Sequence, residues 1–201
     1  MSNKGIIFVI SSPSGGGKTS VVRRIINRVK GLHYIVSATT RSVRSGEKPE
    51  VDYIYLSDQE FEEWMAMGKF VETTVYNGHR YGTPKESLIN SIDQGRDVIL
   101  DIDVRGGEQV KKLFPESVLI FLLPPSREEL RKRLERRGRE SNEEIEARLK
   151  EVEREIDSLD NYDYVVINDD LEKATDEILA IITAEHLRSK RTSERIWKKE
   201  S

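Results

Sequence analysis

The sequence contains no cysteine, only three histidines and no long hydrophobic run. Without cysteine, disulfides and thiol chemistry are excluded, and we expect a cytoplasmic location. Cysteine and histidine are the usual ligands of structural zinc, so a zinc site is not expected. The apolar run at residues 6–10 is too short to cross a membrane and too short for a secretory signal. We therefore expect neither membrane insertion nor secretion.

Positive charge is not in excess either. The 201 residues carry a formal net charge of −3, and 34% of them are charged. Nucleic-acid-binding proteins usually carry a clear positive excess, so nucleic acid is not an expected partner. Arginines are nevertheless concentrated at residues 41–44, 127–139 and 188–199, which is consistent with a small polyanionic ligand. The length and the hydrophobic content of 36% suit one globular domain with small inserted lobes.

A glycine cluster follows the first apolar run and leads into a helical pattern. Residues 6–10 are β-branched or aromatic, which predicts a buried strand, and apolar residues recur at helical spacing after Ser20. Between them lies the segment Gly15-Gly16-Gly17-Lys18-Thr19. A strand, a glycine loop, Lys-Thr and a helix form the context of a phosphate-binding loop.

This loop has the chemistry that phosphate groups require. Glycines let successive backbone N–H groups turn inward, and the helix that follows adds the positive end of its dipole. Lys18 can reach the β- and γ-phosphates, and the Thr19 hydroxyl can hold a Mg²⁺ ion. The full pattern has a further glycine where this chain has Ser12, which leaves the geometry of the first turn open. The alternative is a glycine-rich turn that binds no ligand.

The segment from residue 37 to 94 looks like a lobe inserted into an otherwise alternating chain. Its strand-like runs are joined by short turns, and Asn77-Gly78 is a strong hairpin signal. An antiparallel, meander-like arrangement is therefore predicted. Arg41 and Arg44 lie three residues apart in a hydroxyl-rich loop and could clamp a phosphate. A solvated charged loop is the alternative.

Two carboxylates follow the next buried strand. Residues 98–100 predict that strand, and Asp101 and Asp103 lie at its carboxyl end, where open α/β sheets bind their ligands. For Asp103 the alternative is capping of the helix that follows.

Further helix starts are predicted at Ser57, Ser126 and Asn142. The helix after Asn142 has one apolar stripe and an opposite face of charged residues, which suits a mobile lid. The arginines after Ser126 interleave with glutamates, so ion pairs on a solvated face are the alternative to ligand binding there. The basic tail is either a frayed helical end or a contact arm.

Together these motifs resemble those of guanylate kinases over nearly the whole chain. In order, the motifs are Pro13-Ser14-Gly15-Gly16-Gly17-Lys18-Thr19, Ser37-Ala38-Thr39-Thr40-Arg41, Arg44-Ser45-Gly46-Glu47, Asp52-Tyr53, Tyr81-Gly82-Thr83, Asp101-Ile102-Asp103, Arg133-Leu134 with Arg137-Gly138, and Asn168-Asp169-Asp170. The resemblance implies an α/β fold with three parts: a three-layer P-loop NTPase core with a parallel sheet (1–36, 96–126 and 159–188), an inserted mixed α/β GMP-binding lobe (37–95) and a small helical lid (127–158). The basic C-terminal tail (189–201) lies outside the part of the chain that the resemblance covers.

The resemblance also implies a reaction and the residues that carry it. The γ-phosphoryl group of ATP would pass to GMP, or to dGMP, giving ADP and GDP for guanine nucleotide supply and recycling. The acceptor phosphate would be held by Arg41, Arg44, Tyr53 and Tyr81. Guanine would be read by Ser37, Glu72, Thr83 and Asp103, and Asp101 would hold metal-bound water. ATP and Mg²⁺ would be held by Ser14, Gly15, Gly16, Gly17, Lys18, Thr19, Ser20, Arg133 and Arg137, with Asn168 at the adenine; Thr19 is the metal ligand. The catalytic set would be Lys18, Arg41, Arg137 and Arg148.

Two other functions stay open at this point. In some scaffold proteins a guanylate-kinase-like domain binds partner peptides without catalysis, but those domains typically lose the phosphate loop. A P-loop kinase for another small acceptor is the second, and Glu72, Asp103 and Ser37 argue against it. The sequence leaves the oligomeric state open, with a homodimer among the alternatives.

Overall fold

The computed structural model describes residues 4–137, 141–189 and 191, with Arg137 described only by its backbone. The strands are β1 (Ile7–Ser11), β2 (His33–Tyr34), β3 (Ala38–Thr39), β4 (Ile54–Tyr55), β5 (Phe70–Tyr76), β6 (His79–Pro84), β7 (Val98–Asp101), β8 (Val118–Leu123) and β9 (Tyr164–Ile167). The helices are α1 (Lys18–Arg28), α2 (Asp58–Ala66), α3 (Lys85–Asp93), α4 (Val104–Leu113), α5 (Arg127–Arg137), α6 (Asn142–Ile156) and α7 (Leu171–His186), with a 3-10 turn at Leu159–Asn161. No helix among these residues is long and apolar enough to cross a membrane.

The larger sheet has five strands in the order β2-β7-β1-β8-β9. The pairs β2–β7 and β8–β9 are parallel. Every residue of β1 is buried, as are the first five residues of β8, because residues 7–10 and all of β8 are apolar. The predicted buried strands at residues 6–10 and 98–100 are therefore present, as is the α/β class.

The smaller sheet has four strands in the order β4-β3-β6-β5. The predicted hairpin is confirmed: Tyr76 pairs with His79 across Asn77 and Gly78, whose φ angles are 48° and 75°. Positive φ at both positions defines the tight turn that matches strand twist. The expectation of a wholly antiparallel lobe is wrong, because β3 and β4 pair in parallel. The connection at residues 40–53 is long enough for the crossover that parallel pairing needs.

The described chain divides into two compact units. One contains Ile10–Lys30 and the chain from Leu119 onward; the other contains residues 4–9 and Gly31–Val118. In the first unit, Arg28 on α1 pairs with Asp176 on α7 at 2.8 Å and also contacts Glu172. The finer division into core, lobe and lid is not resolved by these units and stays a prediction.

Helices α5 and α6 share a small apolar cluster. Leu130 and Leu134 pack with Ile145, Leu149 and Val152, and all five side chains are buried. Around this cluster, Arg131 pairs with Glu146, and Arg127 approaches Glu153 at 3.3 Å. For these two arginines, the structure therefore contains the ion pairs that were the alternative to ligand binding.

Helix caps follow the predictions at two of three positions. Ser57 forms a full capping box with Glu60, and the Ser126 hydroxyl accepts the Glu129 N–H at 3.1 Å. The prediction of Asn142 as a cap is wrong, because Ser141 caps α6. Its N–H donates to the Glu144 carboxylate at 2.7 Å, and its hydroxyl accepts the Glu144 N–H at 3.3 Å. The Ser-x-x-Glu spacing was the signal for this capping box.

Replacing Ser141 by alanine should weaken α6 by about 0.5–2 kcal/mol, because the Glu144 N–H loses the hydroxyl that accepts its hydrogen bond. Hydrogen exchange of the α6 amides measures this directly, even if the helix opens without global unfolding. Asn142→Ala is the matched control and should leave protection nearly unchanged. An equal loss in both variants would contradict the Ser141 cap.

Candidate functional site

The glycine loop ends at a helix start that carries no acidic group. Gly15 and Gly17 have φ angles of 91° and 92°, and Gly17 is the residue before α1. Helix α1 has no side-chain cap bond and no acidic residue in its first turn. Every other described helix has at least one of the two. The N–H groups and dipole of α1 therefore suit an anion supplied by a ligand.

Ser12 does not disturb the first turn of this loop. Among the described non-glycine residues, positive φ occurs at Glu50 and Asn77, so Ser12 has an ordinary backbone conformation. Its side chain is buried, and its hydroxyl donates to the Pro13 carbonyl at 3.2 Å. A glycine is therefore not required here, which settles the geometry that the sequence left open.

The glycine loop is braced by side chains from distant parts of its unit. Asn168, after β9, donates its amide to the Gly16 carbonyl at 2.7 Å. Arg133 on α5 donates to the Asn168 carbonyl at 3.0 Å and to Glu129 at 2.9 Å. Arg148 on α6, one of the arginines predicted to act on ATP, donates a hydrogen bond to the Ser14 hydroxyl. Thr19 and Ser20 are exposed in the first turn of α1.

Gly15 also lies directly against α5. A Cβ atom added to Gly15 would come within 2.8 Å of Leu130 Cδ1 and 3.1 Å of Leu134 Cδ2. The same two leucines belong to the apolar cluster that joins α5 to α6. The position of the glycine loop is thus fixed by packing as well as by hydrogen bonds. The side chain of Arg137 lies outside the described residues, so its predicted role is untested.

In the second unit, Arg41 is buried against one carboxylate. Its side chain is 7% exposed and donates to both oxygens of Glu47, at 2.8 and 3.0 Å. Glu47 also accepts the Arg44 N–H at 2.8 Å and the Tyr55 hydroxyl at 2.7 Å. These bonds, above all those from Arg41, lower the pKa of Glu47 to about 2. The guanidinium lies 5.3 Å from the centre of the Tyr53 ring.

One donor of Arg41 is left over. Its Nε is buried and has no hydrogen-bond partner among the described residues. Burial opposes the charge on Arg41, but hydrogen bonds with Glu47 and Tyr81 outweigh this and raise its pKa above the usual range. Tyr53 and Tyr81 meet edge to face, with ring centres 5.9 Å apart. A permanent cation with a spare donor, beside phenol groups, suits a phosphate.

Tyr53 and Tyr55 stay protonated. Burial, followed by the charge of Asp101, raises the pKa of Tyr53 above its usual value. Burial and the bond to Glu47 raise the pKa of Tyr55 to about 12. Both phenols are therefore neutral hydrogen-bond donors at physiological pH. Arg44 itself is exposed, and its backbone N–H takes part in the cluster.

Glu72 is a buried carboxylate on a β-bulge. Phe70 pairs with Pro84 and Thr73 with Gly82, so three steps along β5 face two along β6. The extra residue re-aims the side chains of the bulge. Glu72 is 3% exposed, and its Oε1 accepts the Thr83 hydroxyl at 2.7 Å. The predicted pair Glu72 and Thr83 is thus in direct contact.

Helix α4 closes the other side of the Glu72 carboxylate. A Cβ atom added to Gly106 would come within 2.7 Å of Glu72 Oε2. Asp103 caps α4 by accepting the Gly106 N–H at 2.9 Å, so its capping alternative is confirmed. Buried Ser37 precedes the Ala38–Gly82 pair, which puts it at the level of Thr83.

Sequence reasoning missed two members of the Arg41 cluster as site residues. Tyr55 is two residues after Tyr53, and side chains alternate along a strand, so the two share one face. Glu47 belongs to the motif Arg44-Ser45-Gly46-Glu47, but the sequence assigned it no role. Its bonds to Arg41 and Tyr55 depend on how the loop folds. The role of Gly106 has no local signal, since its φ is not positive.

The chain is similar to known proteins over nearly its whole length. The family model for guanylate kinase matches residues 4–185. The chain is 44% identical to the guanylate kinase of Caldanaerobacter subterraneus subsp. tengcongensis, covering 95% of this chain and 93% of that protein. It is also 44% identical to the guanylate kinase of Oceanobacillus iheyensis, covering 97% and 95%. The crystal structure of guanylate kinase from Anaplasma phagocytophilum is similar, with a TM-score of 0.79, 34% identity and coverage of 94% and 90%.

The Glu47 cluster should make stability depend on pH. A folded pKa of about 2 lies below the usual 4.5, so the stabilisation is full above pH 5 and is lost as pH falls toward 2. The shift corresponds to on the order of 3 kcal/mol at most. The difference in unfolding free energy between wild type and Glu47→Gln should therefore shrink over that range. Urea unfolding at several pH values measures it.

Glu50→Gln is the control, since Glu50 is an exposed carboxylate in the same loop. Its difference from wild type should be small at every pH. A Glu47→Gln difference that stayed constant from pH 7 to pH 3 would contradict the strong pairing with Arg41.

Proposed function

The chain belongs to the guanylate kinase family, and from that premise we propose its reaction. It transfers the γ-phosphoryl group of ATP to GMP, and to dGMP, giving ADP and GDP. The observation that carries the choice of acceptor is the buried Glu72 carboxylate, which is held by Thr83 on a β-bulge. The reaction supplies and recycles guanine nucleotides.

Phosphoryl transfer between two nucleotides is mainly a problem of charge. The acceptor is already an anionic phosphate, so no strong base is needed, but two repelling polyanions must meet in line. Arg41 is proposed to hold the GMP phosphate with Arg44, Tyr53 and Tyr81. Its spare Nε donor and its fixed charge support this role.

Guanine can be told from adenine by a carboxylate. Guanine presents N1–H and N2–H₂ as adjacent donors, and a carboxylate accepts from both. Adenine has a lone pair at N1, which the same carboxylate would repel. Glu72 is proposed for this contact, with Ser37, Thr83 and Asp103 around it. A site built to pair polar edges rejects the wrong base strongly, because its buried groups are otherwise left unpaired.

On the donor side, the glycine loop and Lys18 are proposed to hold the ATP phosphates. The uncapped start of α1 and the two glycines of positive φ support this proposal. Arg133, Arg137 and Arg148 are proposed to neutralise the transferring group, since arginines in this role are worth about 10³–10⁵ in rate. The contact of Asn168 with adenine stays a prediction; its amide supports the loop through Gly16.

Mg²⁺ is proposed to accompany ATP. The described residues include no group of three or more metal-ligating side chains that could hold an ion alone. Mg²⁺ typically takes one or two protein ligands and completes its shell with phosphate oxygens and waters, so the donor set fits. Exposed Thr19 is the proposed ligand, and Asp101 is proposed for a metal-bound water. The ion supplies charge neutralisation at the β- and γ-phosphates when bound.

A panel of acceptors tests the proposed reaction. With saturating ATP and Mg²⁺, release of ADP should be fast with GMP and at least about 100-fold slower with AMP, UMP and CMP. Lys18→Ala should lower kcat for GMP by at least about 100-fold with little loss of fold, because a charged donor to the phosphates is lost. Lys30→Ala, an exposed lysine after α1, is the matched control.

Two outcomes would overturn the proposal. Preference for another monophosphate would favour a different P-loop kinase. No turnover with any acceptor would favour the peptide-binding alternative, in which the fold serves as an interaction module.

Glu72→Gln should raise KM for GMP far more than KM for ATP, because the amide offers only one acceptor to the two donors of guanine. Steady-state kinetics with each substrate varied in turn measure the two constants. Circular dichroism checks that the variant folds. Equal effects on both constants would argue against base reading by Glu72.

A further inference from the structure

Gly106 on α4 lies directly beside the Glu72 carboxylate. It lies within α4, its φ is not positive, and alanine is normally preferred to glycine inside a helix. The backbone conformation therefore gives no reason for glycine at this position. The reason lies in the space beside it.

A methyl group at Gly106 would collide with the carboxylate. The added Cβ would lie 2.7 Å from Glu72 Oε2 and 3.1 Å from Glu72 Cδ, whereas non-bonded carbon contacts are best near 3.5–4.0 Å. Ile102 Cδ1 would be 3.3 Å away on another side. The methyl group would therefore press on two side chains, Glu72 and Ile102.

Helix α4 cannot easily retreat from β5 to relieve this contact. Gln109 donates its amide to the Thr73 carbonyl at 3.0 Å and accepts the Thr73 N–H at 3.3 Å. Thr73 is the residue next to Glu72. The first turn of α4 is fixed as well, because the Gly106 N–H is bonded to Asp103 at 2.9 Å.

The carboxylate is the part that can move. It is the end of a flexible side chain, so the fold can absorb the added methyl group by turning Glu72 about its own bonds. That turn strains the 2.7 Å bond from Thr83 and changes the direction of both carboxylate oxygens. A substitution at Gly106 should therefore cost little in folding and much in base reading.

We propose that Gly106 is a positioning residue for base selection: the absence of a side chain at this point of α4 sets where Glu72 presents its oxygens to the purine. This inference rests on the proposed function, since it gives the structural basis for the choice of guanine. The ligand class concerned is a purine monophosphate that carries an exocyclic amine at C2.

The test compares GMP with inosine monophosphate, which lacks the C2 amine. In Gly106→Ala, the ratio of kcat/KM for GMP to that for inosine monophosphate should fall by about ten-fold or more, while KM for ATP changes less than about two-fold. Arg105→Ala, an exposed position on the same helix, is the matched control and should keep the wild-type ratio. An unchanged ratio in folded Gly106→Ala would overturn the proposal.

A second variant separates positioning from general damage to α4. Glu72→Asp withdraws the carboxylate by one methylene, so adding Gly106→Ala to it should change the ratio far less than it does in wild type. Equal costs in both backgrounds would mean that the methyl group acts elsewhere. The double variant also gives a result if Gly106→Ala alone does not fold.

The measurement on wild type tests the proposed function separately from the role of Gly106. If wild type does not favour GMP, the proposed function fails, and the role in base selection fails with it. A crystal structure of Gly106→Ala then tests the remaining part of the inference, that Gly106 sets the position of the Glu72 carboxylate. Displacement of the Glu72 carboxylate from its wild-type position would support the inference, and an unmoved carboxylate would overturn it.

Discussion

A protein that binds phosphate groups must hold positive charge and N–H donors in place before the ligand arrives. A buried guanidinium is costly unless it is paired, yet a fully paired one has nothing to offer a ligand. Arg41 meets both demands: Glu47 takes its two terminal nitrogens, and Nε is left without a partner among the described residues. Glu47 in turn is fixed by Tyr55 and by the Arg44 N–H. The loop at residues 41–47 therefore depends on this one carboxylate.

The glycine loop answers the same demand with backbone dipoles. Amide groups carry no net charge, so burying them requires no counter-ion, but they must point the right way. Their direction is set by Asn168, which bonds Gly16, and by packing of Gly15 on α5. Arg133 joins Asn168 to Glu129, so the brace extends from the turn after β9 to α5. The contacts made directly to Gly15 and Gly16 are neutral, and the charged pair of Arg133 with Glu129 supports them from behind through Asn168.

The features predicted correctly from the sequence are those that a few adjacent residues determine. The strand at residues 6–10, the Asn77-Gly78 turn and the Ser57 cap each depend on a few adjacent residues, and the structure contains all three. The Glu47–Arg41 pair and the bulge at Glu72 depend on loop closure and on strand register, which no local pattern encodes. The prediction of Asn142 as the cap of α6 is wrong for a different reason, because the neighbouring Ser141 carries the Ser-x-x-Glu spacing, which is a local signal.

The positions at which a sequence motif has glycine are not always those at which the structure requires it. Ser12 stands where the phosphate-loop pattern has glycine, yet its φ is not positive, so its backbone conformation does not require glycine. Gly15 needs its positive φ and its closeness to Leu130 at once. Gly106 lies in no turn and has no positive φ; glycine is needed there because a side chain would overlap the Glu72 carboxylate. A glycine can therefore be required by a side chain that lies far from it in sequence, and only the packed structure reveals which glycines these are.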